Sequence, residues 1–242
     1  MLDALRRWIA GSTDSADWRA VAEWAGQRGA PFKRSRDGDG FVIEGRIEGR
    51  AWRLEWGPPQ RNYIVGPELR LRMELGLAQD VNMLLMSRAL METLERQTFE
   101  HYTEHMQTQI DVSTPEEMRW LAMFPKVQFA ARDLRSRFAA VAHSPLAAAA
   151  WIDGRLSERI AAAAQTTLAA DPPFVLMTLR GRLYLRLQLA APEVAAVETM
   201  IGLFETAAAQ ALHLGAIDGR DGGPSTASTA WQTQIQAEPR DP

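Results

Sequence analysis

The chain of 242 residues has no cysteine, so disulfides, thiolate zinc sites, iron–sulfur clusters and cysteine nucleophiles are excluded together. Lysine is almost absent: only Lys33 and Lys126 stand beside 25 arginines. That bias, with abundant alanine, points to a GC-rich bacterial genome rather than to a specialised surface. Long apolar runs are missing too. The opening MLDALRRWIAG interrupts its apolar residues with Asp3, Arg6 and Arg7 and so has no secretory h-region, and no stretch approaches the ~20 apolar residues of a membrane span. A reducing cytoplasm is the expected location. The net charge of −3 provides no whole-molecule field to recruit nucleic acid or anionic membrane.

What is present suits a packed core, since 46% of the residues are hydrophobic, enough for one large domain or two small ones. In SADWRAVAEWAGQR, Trp18, Val21, Ala22 and Ala25 recur at helical spacing ahead of Gly29, which predicts an amphipathic helix over 15–28. RDGDGF is a turn, and beyond it the apolar residues alternate. Trp52, Leu54 and Trp56 fall on one face with Arg53 and Glu55 on the other, and Leu69, Leu71, Met73 and Leu75 alternate with Glu68, Arg70, Arg72 and Glu74. This pattern predicts an antiparallel sheet with one solvated face.

From Gln79 to about Gln97, Val81, Leu84, Leu85 and Met91 suggest a helix. TPEEMRWL announces another, with Thr114 as N-cap, Pro115 at the first helical position, Glu117 completing a capping box and Pro125 as the stop. Alanine-rich helices are expected around 130–142 and from Ser144-Pro145 to about Ala169, broken near Asp153-Gly154. PFVLMTLRGRLYLRLQL returns to alternation and reads as a hairpin turning at Arg180-Gly181. A last helix begins near Pro192, places Val194, Val197, Ile201 and Phe204 on one side, and is expected to end at Gly215.

The fold class that follows is α+β, with antiparallel β-hairpins packed against α-helices. Residues 1–214 form the expected domain, with two similar lobes over 12–124 and 125–214. Setting FVIEGRIEGRAWRLEW beside FVLMTLRGRLYLRLQ aligns Phe41-Val42 with Phe174-Val175 and Gly49-Arg50 with Gly181-Arg182. That hints at a duplication, although any two hairpins of leucine and arginine share such a pattern. Residues 215–242 have the composition of a disordered tail, in which Trp231 is the aromatic able to anchor a partner.

Residues 101–105, HYTEH, match H-x-x-E-H and resemble the inverted zinc-protease signature. The resemblance implies His101 and His105 as metal ligands and Glu104 as general base. On a helix the two histidines would lie ~6 Å apart, and on a strand ~13 Å apart; the local pattern permits both. The family's third ligand is a later glutamate, and Glu158, Glu193 and Glu198 sit in no distinctive context. Two polar histidines on a solvated element need no metal. DGDG is a poor calcium loop, because with Ser35 first the twelfth position is Arg46. His143 and His213 have no nucleophilic serine in a G-x-S-x-G setting.

The arginine-bearing sheet, with Arg46, Arg50, Arg53, Arg61, Arg70 and Arg72, suits carboxylate or phosphate. Glu44, Glu48, Glu55, Glu68 and Glu74 offset that charge in the same segment and argue against nucleic acid. The reading is a non-enzymatic protein that binds a protein partner or a small anionic ligand. Arg53, Arg61, Arg70 and Arg72 are its ligand contacts and Trp231 its partner contact, with no catalytic residue, metal or cofactor. The alternatives are a metal-dependent hydrolase using HYTEH and a nucleic-acid-binding module using the arginine sheet.

Overall fold

The computed structural model describes residues 15–104 and 115–221. Its frame is one eight-stranded antiparallel sheet in the order β1-β2-β3-β4-β8-β7-β5-β6. The strands are β1 (Phe32–Arg34), β2 (Phe41–Ile47), β3 (Arg50–Gly57), β4 (Glu68–Glu74), β5 (Met83–Ser87), β6 (Phe138–Ala142), β7 (Phe174–Leu179) and β8 (Arg182–Gln188). Seven helices accompany them among the described residues: α1 (Ser15–Gln27), α2 (Arg88–Glu104), α3 (Glu116–Met123), α4 (Arg132–Arg135), α5 (Pro145–Ile152), α6 (Arg155–Ala164) and α7 (Val194–Asp221). The α+β class with antiparallel hairpins is therefore as the alternation predicts. Strands from both sequence halves share the sheet, with β8 and β7 standing between β4 and β5.

Both long hairpins close through two residues of positive φ, Glu48-Gly49 at 49° and 79° and Arg180-Gly181 at 51° and 76°. This is the type I′ turn, whose twist matches that of the strands it joins. Leucine–arginine alternation then sends Leu69, Leu71 and Met73 of β4 and Leu183, Leu185 and Leu187 of β8 into one core. That core lies under α1, α5, α6 and α7, with Trp18, Trp24, Trp151 and Phe204 buried in it. A second, smaller core holds Leu90, Met91 and Leu94 of α2 and Trp120 of α3 against Leu84, Met86, Val141, Val175 and Met177. Helices thus cover the second face only over β5, β6 and β7. No helix among the described residues is long and apolar enough to cross a membrane.

Three expectations are corrected. The helix predicted over 79–97 divides, because Met83–Ser87 is strand β5 and α2 begins at Arg88. Every residue of MLLMS is buried, and a strand covered on both faces shows no alternation to read. Residues 130–142 likewise contain only the short α4 and then β6, whose FAAVA is also buried throughout. Finally, α7 continues through Gly215 to Asp221. A β-carbon at 215 would stand 2.7 Å from Cδ2 of Leu77, so the glycine there permits close packing instead of ending the helix. The α5–α6 break falls as expected at Asp153-Gly154, and the Ser144 side chain caps α5 by accepting from the Ala147 amide.

Candidate functional site: a charged sheet face and its cleft

The residues alternating with the first core project from β2, β3, β4 and β8 onto the face that α2 and α3 leave uncovered. Register arranges them in rows. Glu44 lies opposite Arg53, Arg53 opposite Arg72, and Arg72 opposite Tyr184; in the next row Glu55 lies opposite Arg70, and Arg70 opposite Arg186. Diagonal contacts knit the rows into an alternating chain of charge. Lys33 holds Glu44 at 3.2 Å, Glu44 holds Arg53 at 3.2 Å, Arg53 holds Glu55 at 2.5 Å and Glu55 holds Arg70 at 3.4 Å. Glu68 then bridges Arg70 at 3.3 Å and Arg186 at 2.6 Å.

The far end of this chain is buried. The Glu68 and Glu117 side chains are 0% exposed, and Arg70 and Arg186 only 15% and 12%. The β3–β4 connection folds over them: the Gln60 amide donates to Glu68 at 2.7 Å, while Arg61 at 3.1 Å and the Tyr63 hydroxyl at 2.8 Å donate to Glu117. Burial, then the Glu117 carboxylate, pushes the Tyr63 phenol far above its ordinary range. Glu55 shows the opposite balance. Burial opposes its ionisation, yet the Arg53 hydrogen bond and the charges of Arg53, Arg70 and Arg72 together hold its carboxyl below the usual value.

Arg72 differs from its neighbours. Its side chain is exposed and makes no hydrogen bond or ion pair with any described residue. It lines a cleft of about 1010 Å³ that crosses this face beside Arg53, Tyr184 and Arg182 and bends round the β2 edge at Glu44, Gly45 and Arg46 towards Trp24, Arg28 and Ile201. Across the face, Lys33, Arg46, Arg53, Arg61, Arg70, Arg72, Arg182 and Arg186 meet Glu44, Glu55, Glu68, Glu74 and Glu117. Eight cations against five carboxylates leave an excess of three, in a chain whose formal charge is −3.

Of the four arginines read from sequence as ligand contacts, Arg53 and Arg70 are committed to glutamates, Arg61 lies on the β3–β4 connection against Glu117, and Arg72 alone stands without an ion-pair partner among the described residues. Arg50 belongs to the opposite face, since it shares the parity of Trp52 and Leu54; it donates to the Leu75 carbonyl at 3.0 Å. Thr114, the expected N-cap, lies outside the described residues, and Pro115 stands at the N-cap of α3 instead of at its first helical position, so Glu117 is not placed as the third residue of a capping box. It faces the sheet with Trp120 one turn on, and α3 has no side-chain cap hydrogen bond. Sequence reading missed Tyr184 and Arg186 as members of this face; the signal was the shared alternation of ELRLRME and RLYLRLQ, which become neighbouring strands.

HYTEH is helical through Glu104, in the last turn of α2, while His105 and Trp231 lie outside the described residues. Among the described residues no group of three or more His, Asp or Glu is placed to hold a metal ion. The chain matches no protein-family model, no curated protein and no solved structure.

Proposed function

We propose that this is a non-enzymatic binding protein that takes an anionic group, a carboxylate or phosphate, at Arg72 in the cleft. The observation that carries the reading is a comparison within the sheet. Arg70 and Arg186 are directly opposite like charges, an arrangement that is destabilising on its own, and Glu68 bridges them. Arg53 and Arg72 are the same kind of pair one row away, and no described carboxylate bridges them. A ligand anion there would do what Glu68 does for its neighbours, with Tyr184 beside it. Arginine also stays protonated, which suits holding an anion more than moving a proton. The cysteine-free composition supports a cytoplasmic setting.

Isothermal titration with citrate and with inorganic phosphate tests the reading. Saturable binding by the natural protein, weakened at least tenfold in Arg72→Ala and reduced by added salt, is expected. Binding unchanged in Arg72→Ala, or no binding at millimolar ligand, would contradict it.

A further inference from the structure

A second cation of this face is left without a carboxylate. Lys33, Arg53, Arg61, Arg70, Arg182 and Arg186 each hold a glutamate, whereas Arg46 holds none among the described residues. Its side chain is exposed, and one guanidinium nitrogen donates to the Gly49 carbonyl at 3.0 Å within its own hairpin. Arg46 and Arg72 line the same cleft, and Ala51 lies between them. Ala51 is directly opposite Arg46 and diagonal to Arg72, because Arg53, two residues on in β3, is opposite Arg72. Its single exposed carbon leaves the floor of the cleft open there, where the other outward residues of β3, Arg53 and Glu55, carry long side chains. Two strands and one residue pair separate Arg46 from Arg72, roughly 12 Å between α-carbons, a gap on which both side chains can close from opposite sides.

Resting on the Arg72 reading, we infer that the ligand is a small dicarboxylate, with one carboxylate at Arg72 and the other reaching Arg46 over Ala51. The glutamates nearest this path are already engaged. Glu44, beside Arg46 along β2, holds Lys33 and Arg53. Glu74, opposite Ala51 where the β3–β4 register continues, is drawn away towards β8 by Arg182 at 2.6 Å. Each unneutralised guanidinium presents a fork of N–H groups that matches a carboxylate. Joining the two carboxylates in one molecule makes the second contact intramolecular, which strengthens binding wherever the linker spans the gap. Arg46 is then the residue that selects a dianion over a monoanion, and Ala51 provides the room for the chain between its ends.

The probes are glutarate and its monoamide, which have the same length and differ in one charge, titrated at constant ionic strength into the full chain. Four variants are measured beside the natural protein: Arg46→Gln, Ala51→Leu, Arg72→Ala and, as a control for the general field, Lys33→Gln, which removes a charge from the same edge of the sheet. Expected is at least tenfold tighter binding of glutarate than of the monoamide. Arg46→Gln should bring glutarate down to the monoamide's affinity and leave the monoamide unchanged, Ala51→Leu should weaken glutarate at least fivefold, and Lys33→Gln should change the ratio of the two ligands by less than twofold. If glutarate and the monoamide bind equally, or if Lys33→Gln lowers their ratio as much as Arg46→Gln does, the second carboxylate contact is overturned; loss of both ligands in Arg72→Ala would then show that the Arg72 site itself stands. If neither ligand binds the natural protein at millimolar concentration, both readings fall.

Discussion

Glu117 shows how much one side chain can connect. It is fully buried at the start of α3, yet its Oε1 accepts from Arg61 and Tyr63 and lies 3.9 Å from Arg186 Nε. It therefore ties the helix over the second core to the β3–β4 connection and to β8. Removing one partner from a buried ion pair leaves the others desolvated without compensation. Glu117→Leu is expected to lose roughly 3 kcal/mol of stability in urea denaturation; a loss below about 1 kcal/mol would mean that the network contributes little beyond packing.

At the scale of elements, the glycine–tryptophan pair between β2 and β3 leaves no room for a side chain. A side chain at 45 must displace the Trp52 indole, which is 7% exposed within the first core. Gly45→Val should cost roughly 1–3 kcal/mol, as overpacking does, and should alter the tryptophan fluorescence; a variant equal to the natural protein in midpoint and spectrum would show that the ring is free to move.

The same scale explains what could be read in advance. Strands with one solvated face, β2, β3, β4 and β8, announce themselves because leucine and arginine alternate. Strands β5 and β6, buried on both faces, carry no such period and pass for helices. The four arginines of the candidate site were legible one by one. Their differing states were not, because Glu117 and Arg186 arrive from distant sequence and decide which cations are already neutralised.

For the whole molecule, coverage and charge act together. Helices pack on one face of the sheet and cover the other only over β5 to β7, which leaves β2, β3, β4 and β8 to present a local cationic excess on a chain of formal charge −3. Five carboxylates keep that excess small, so recognition depends on the position of one unbridged pair more than on long-range attraction. Titration of citrate followed by NMR of the backbone amides and arginine Nε–Hε groups tests this most directly. The account predicts saturable shifts at Arg53, Arg72 and Tyr184, with Arg70 and Arg186 unmoved because Glu68 already occupies them. Shifts spread evenly over every arginine of the face, or none at Arg72, would contradict it.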